Sequence, residues 1–234
     1  MTEHIGIIAC SPEGAALCYR TICIEAANIM GKHAFPEITM HSFSFKDYVQ
    51  YLDAEDWKGV ASLMLSSTEK VATAGATIAI CPDNTIHQSF DLVIRKSPIP
   101  WLHIAEELAA EAVRQGYTRL GVLGTRSLME GPVYSSRLAS VGIEQILPSN
   151  IEREQINRII FDQLVNGLFL PEARAYFNKV ITGLKEGGCD AVVLGCTEIP
   201  LLLPEGEKSP LPKLDSTRLL AMAALRKATG INCN

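Results

Sequence analysis

The sequence lacks any excess of positive charge: 21 Lys and Arg stand against 26 Asp and Glu, a formal net charge of -5. Binding nucleic acid through its phosphates needs a Lys/Arg-rich face. Here Arg20, Lys58, Arg95, Lys96, Arg114, Arg137 and Lys227 are scattered, so no nucleic-acid partner is expected. Long apolar runs are missing too. Ile5 to Cys10 is far too short for a membrane span or a secretory core, and Met-Thr-Glu-His before it has no basic cluster. A cytoplasmic protein with no membrane partner is the expectation. The seven cysteines, Cys10, Cys18, Cys23, Cys81, Cys189, Cys196 and Cys233, are odd in number and include no Cys-x-x-Cys pair. That pattern excludes a disulfide framework and a zinc knuckle, and fits a reducing compartment. Gly-x-Gly-x-x-Gly and P-loop patterns are also absent, so neither a metal nor a cofactor is expected.

What is present is ordinary globular composition, 47% hydrophobic and 20% charged over 234 residues, enough for one large domain or two small ones. Short apolar runs at His4–Cys10, Glu37–Ser42, Thr77–Cys81, Pro98–Leu102, Arg119–Gly124 and Ala191–Gly195 mostly do not alternate with polar residues. Strands buried on both faces read this way. Helical patterns lie between them, such as Ile104, Leu108 and Ala112 behind the acidic pair Glu106 and Glu107, and Ile156, Ile159, Ile160 and Leu164. The alternation predicts an α/β fold with parallel sheets, whose ligand sites lie beyond the carboxyl ends of the strands.

The chain also resembles itself weakly. Thr77-Ile-Ala-Ile-Cys-Pro-Asp83-Asn84-Thr85 and Asp190-Ala-Val-Val-Leu-Gly-Cys196-Thr197-Glu198 each run from an apolar strand into a small polar cluster, about half a chain length apart. Two similar lobes follow as an expectation: residues 1–98 with 212–234, and residues 99–211. Pro- and Gly-containing stretches at Ser97–Pro100 and Pro204–Pro212 mark the crossings.

Cys196 is the strongest chemical signal. A Cys just past a buried strand, after Gly195 and before Thr-Glu-Ile-Pro, can be reached by substrate and by turn N–H groups that favour a thiolate. A structural thiol more often sits within the strand. This segment resembles the second catalytic-cysteine motif, Gly-Cys-Thr-Glu, of the aspartate/glutamate racemase superfamily. The resemblance extends to Gly6-Ile-Ile with Ser11-Pro12-Glu13, Asn84-Thr85-Ile86-His87, Leu123-Gly124-Thr125 with Met129 and Tyr134, and Asp215-Ser216-Thr217. It implies a pseudo-symmetric pair of α/β lobes, each a parallel sheet flanked by helices, with the active site in the cleft between them and usually in a homodimer. It implies an amino-acid racemase working without pyridoxal phosphate, one residue removing the Cα proton and the other delivering a proton to the opposite face.

The sequence departs from the superfamily pattern at informative places. Asp83 stands where two-cysteine members carry the first catalytic Cys, and Cys81 lies two residues too early. Ala9-Cys10-Ser11-Pro12 replaces the usual Gly-Gly-Met-Gly-Pro. A lysine found near Leu164–Gly167 in aspartate-using relatives is missing, and Leu220 replaces a His. The expected acid/base pair is therefore Asp83 and Cys196. By reference values of about 3.9 and 8.5, a carboxylate ready to abstract would face a thiol ready to donate. Ser11, Pro12, Asn84, Thr85, Thr125 and Thr197 are expected around the substrate, since strand-end turns offer donors to a carboxylate; turn-building and helix capping are their structural alternatives. Glu198 suits the substrate ammonium or a turn cap. His87 reads as a general base or a helix-terminal residue, and Asp215 as a structural carboxylate or a site group. Other readings of the same motif are a single-cysteine decarboxylase or cis-trans isomerase, and a non-catalytic amino-acid-binding protein.

Overall fold

The structure, a computed structural model, describes residues 2–231; Cys233 lies outside the described residues. The chain forms two compact units. One runs to Glu107 and resumes at Thr217, and the other is Leu108–Ser216.

In the first unit, β1 (Ile5–Ala9), β2 (Ile38–Ser42) and β3 (Ile78–Ile80) form a parallel sheet in the order β2-β1-β3. Ile5 of β1 stands opposite both Ile38 and Ile78. Every residue of β1 is buried. Side chains alternate across a strand, so Ile5 and Ile7 join Cys18, Ile22, Ile78 and Leu220 on one face. Ile8 and Cys10 join Tyr48, Val60, Met64 and Val71 on the other. Burying each such large aliphatic side chain stabilises the fold by about 1.5–3 kcal/mol. Gly6 leaves room for a helix: a Cβ there would stand 2.7 Å from Val71 Cγ2.

In the second unit, β4 (Arg119–Leu123), β5 (Glu144–Ile146), β6 (Ala191–Leu194) and β7 (Lys213–Asp215) are also all parallel, in the order β5-β4-β6-β7. Ile156, Ile159, Ile160, Phe177 and Ile181 from two helices pack with Val192 and Leu194. The two edge strands β5 and β7, three residues each, are absent from the strands expected above.

The expected strand at Pro98–Leu102 reduces to one parallel bridge, Trp101 beside Ala79. Pro98 and Pro100 carry no N–H for a ladder. Ala79 instead donates to the Pro100 carbonyl at 2.8 Å and accepts from Leu102 N–H at 3.1 Å. These bonds attach 99–107 to the first unit, where the prolines had suggested that the second begins at 99. The chain leaves within the helix Ile104–Arg114 and returns at the head of the helix Ser216–Thr229.

Candidate active site

Because every strand in each sheet points the same way, the residues that follow them collect along one edge of that sheet. In the first unit that edge carries Ser11 and Pro12 after β1, and Asp83, Asn84 and Thr85 after the neighbouring β3. In the second it carries Thr125 after β4, Cys196, Thr197 and Glu198 after β6, Asp215 as the last residue of β7, and Ser216 after it. The expected residues thus form two sets, one at the carboxyl edge of each sheet.

Ser11 caps the helix Pro12–Met30, its hydroxyl accepting the Gly14 N–H at 3.3 Å, and Pro12 is exposed at the first helical position. Pro has no N–H to lose there, which is why it suits the place. Asp83 is half-buried; its Oδ1 accepts the Ile86 N–H at 3.3 Å and so supports the 3-10 turn Thr85–Ser89. Asn84 is buried without a side-chain capping bond to that turn. Cys81, before Pro82, points into the core and is fully buried. Burial first, and then the nearby Asp83 charge, push its thiol well up, so it remains protonated. It is inert as a proton acceptor near neutral pH. The same interior pushes up the buried Tyr48 phenol, chiefly by desolvation and then by Cys81, Cys10 and Asp83.

His87 is buried, and both ring nitrogens face backbone groups: Nδ1 lies 2.6 Å from the Asp83 carbonyl oxygen, and Nε2 accepts from Ile104 N–H at 3.4 Å. Of its two readings from sequence, the local structural one has the geometry.

In the second unit Gly124 and Gly195 let β4 and β6 close together. Gly195 N–H donates to the Leu123 carbonyl at 2.7 Å, and a Cβ on Gly195 would stand 2.9 Å from that oxygen and 2.5 Å from Leu128 Cδ2. Thr125 caps the short helix Arg126–Glu130 through Leu128 N–H at 3.2 Å. The turn then exposes a little of Cys196, which is 8% accessible, and its Sγ donates to Glu198 Oε2 at 2.9 Å. Glu198 is 5% exposed, so a thiol and a carboxylate share a buried hydrogen bond. The motif named Glu198; this contact with Cys196 was not legible in it.

Behind the turn, Ser216 Oγ donates to the Leu194 carbonyl at 3.1 Å and shares a hydrogen bond with the buried Tyr134 phenol. Burial pushes that phenol up, with a smaller contribution from Asp215, itself only half-buried. Tyr134 and Ser216 therefore clip the end of β6 to β7, a role not assigned from sequence although both residues were marked. Among the described residues no helix is long and apolar enough to cross a membrane, and no three His, Cys, Asp or Glu side chains cluster as metal ligands.

A model of the Asp/Glu/Hydantoin racemase family matches residues 5–224. A crystal structure from Yersinia pestis assigned as an Asp/Glu racemase is 32% identical with a TM-score of 0.89, covering 97% of this chain and 99% of that one. An aspartate racemase homologue from Pyrococcus horikoshii OT3 is 30% identical with a TM-score of 0.84, covering 98% and 100%. The glutamate racemase of Pseudomonas aeruginosa is 27% identical over 138 residues, 56% of this chain and 48% of that enzyme, so the match spans about half of its length. The chain belongs to the Asp/Glu/Hydantoin racemase family and is an isomerase, an amino-acid racemase.

Proposed function

We propose that this racemase interconverts the L and D forms of its amino acid by proton transfer on both faces of Cα, with Asp83 and Cys196 as the two transferring groups. The observation that carries the reading is the Cys196 turn: a thiol just past a buried parallel strand, slightly exposed, and hydrogen-bonded to a buried carboxylate. In one direction the Asp83 carboxylate takes the Cα proton, the electron pair left on carbon spreads into the substrate carboxylate, and the Cys196 thiol delivers its proton to the opposite face. Asp83 ends as the acid and Cys196 as the thiolate. The reverse direction starts from that state.

Glu198 decides what the thiolate state costs. A thiolate 2.9 Å from a carboxylate would set two like charges together, so the contact favours the state in which Cys196 keeps its proton, ready to donate. This gives Glu198 a duty towards Cys196 beside the one expected towards the substrate ammonium. Ser11, Pro12, Asn84, Thr85, Thr125 and Thr197 remain the proposed substrate surroundings, with Ser11 and Thr125 already spending a hydroxyl lone pair on a helix start.

The proposal includes a cytoplasmic homodimer that needs no cofactor. Seven dispersed cysteines with no Cys-x-x-Cys pair support a reducing compartment. Phe161, Val165, Leu168, Phe169 and Leu170, each more than a third exposed along one stretch of the second unit, support a self-association surface.

The test is a screen of L- and D-amino acids for Cα–H exchange in deuterium oxide, read by proton NMR, with wild type and Cys196→Ser. At least one amino acid should exchange and racemise with wild type and do neither with the variant. No exchange with any of them, or an unimpaired Ser variant, contradicts the proposal.

A further inference from the structure

His87 is 3% exposed, in the 3-10 turn that follows Asp83. A carbonyl only accepts, so the 2.6 Å contact with the Asp83 oxygen places the hydrogen on Nδ1. Nε2 receives the Ile104 N–H and is therefore bare. The ring is the neutral Nδ1–H tautomer, stacked on Phe90 with ring centroids 5.9 Å apart and met edge-on by His103 at 4.8 Å. Ile104 opens the helix Ile104–Arg114, and its N–H is one of the amides that a helix start leaves without a partner in its own ladder. One side chain thus satisfies a helix terminus and fixes the carbonyl of the residue proposed to transfer a proton.

We infer that His87 is a positioning residue for the Asp83 half of the reaction: its Nδ1–H anchors the Asp83 backbone while the Ile104 N–H anchors the ring. Asp83 is then held from both sides, by its carbonyl through His87 and by its carboxylate through Ile86 N–H. The inference rests on Asp83 being an acid/base group, and the experiment separates the two.

The chain has five His, so the ring state is measurable in ¹⁵N-histidine-labelled wild type, with His87→Asn supplying the assignment. Long-range proton–nitrogen spectra should show the His87 Nδ1 protonated and Nε2 bare; the opposite tautomer, or an imidazolium, overturns the inference whatever the substrate. Two substitutions then divide the roles. The amide of His87→Asn can replace the Nδ1–H donor, whereas His87→Gln reaches only the Nε2 position. On the amino acid that exchanges fastest in deuterium oxide, the Asn variant should keep kcat within about threefold. The Gln variant should lose about 10- to 100-fold in kcat with KM within about threefold, the effect of displacing a reacting group by an ångström or less. Equal losses in both variants, or a Gln variant as fast as wild type, overturn the inference. If Asp83→Ala keeps racemising, the Asp83 reading fails instead; if Asp83→Ala is inactive and His87→Gln is not, the failure belongs to His87.

Discussion

The turn after β3 and the turn after β6 both carry a cysteine and a carboxylate, and they arrange them in opposite ways. After β3 the thiol of Cys81 comes first and is swallowed by the core, while Asp83 sits half-buried on the turn and receives a backbone N–H. After β6 the thiol of Cys196 is on the turn, and Glu198 folds back two residues to receive its proton. Both pairs are spaced i to i+2, so spacing alone does not decide reactivity. What decides is the residue before the turn. Pro82 delays the turn until Asp83, whereas Gly195 permits a close strand approach that brings Cys196 out of the strand.

The largest expected effect comes from exchanging each thiol. Cys196→Ser should lower racemisation by about 10²–10⁴-fold, the usual range for removing a general acid/base. Cys81→Ser should leave turnover within a few-fold of wild type and appear only in thermal stability. Similar losses of activity from both would erase the distinction between the turns. Glu198→Gln lies between them, with an expected fall of about tenfold or more, measured as kcat in each direction.

Glycine offers the next comparison. Gly195→Ala meets the Leu123 carbonyl, which is backbone, as well as the Leu128 side chain, while the nearest atoms to a Cβ in Gly6→Ala belong to the side chains of Val71 and Ala76. Overpacking of this kind costs about 1–3 kcal/mol. The Gly195 variant is expected at the upper end with reduced turnover, and the Gly6 variant at the lower end with normal turnover. Denaturant melts and initial rates on both variants check this.

The third comparison is alkaline. The Cys81 thiol is pushed well up in the fold, while the unfolded chain ionises near 8.5. Above that pH the unfolded state therefore binds fewer protons than the folded one. The stability contributed by the protonated thiol is fully present below about pH 8.5 and is lost as pH rises towards the folded value, by at most about 1.4 kcal/mol per unit. Melting temperature should fall less between pH 8 and 10.5 in Cys81→Ala than in wild type. Cys189 and Tyr134, also pushed up by burial, act equally in both proteins, and Tyr48, which Cys81 helps to push up, changes in the same direction as the thiol.

The smallest effects belong to the two caps. Ser11→Ala and Thr125→Ala should each cost about 1 kcal/mol, read by chemical denaturation.

The β1, β3, β4 and β6 runs were legible because buried parallel strands are continuous apolar stretches, as in Ile5–Ala9 and Ala191–Leu194. Glu144–Ile146 and Lys213–Asp215 were not, since three-residue edge strands with polar members carry no such run. Pro98–Leu102 looked like a strand from its side chains and lacked the amides to become one. In the site, Cys196 announced itself through its motif. The partner of its proton did not, because whether Glu198 turns back to sulfur or away depends on the turn's backbone and not on residue type. His87 was equally ambiguous: its tautomer depends on Ile104, distant in sequence.

The most direct measurement of two-sided transfer by unlike groups is deuterium incorporation during initial turnover of each enantiomer in deuterium oxide, together with kcat and KM for both. The equilibrium constant is one, so kcat/KM must match in the two directions. Newly formed product should carry deuterium at Cα while unreacted substrate does not, and kcat should differ markedly between enantiomers with a compensating difference in KM. Deuterium appearing in recovered substrate as fast as in product, or matched kcat values in wild type, would contradict two-sided transfer by unlike groups.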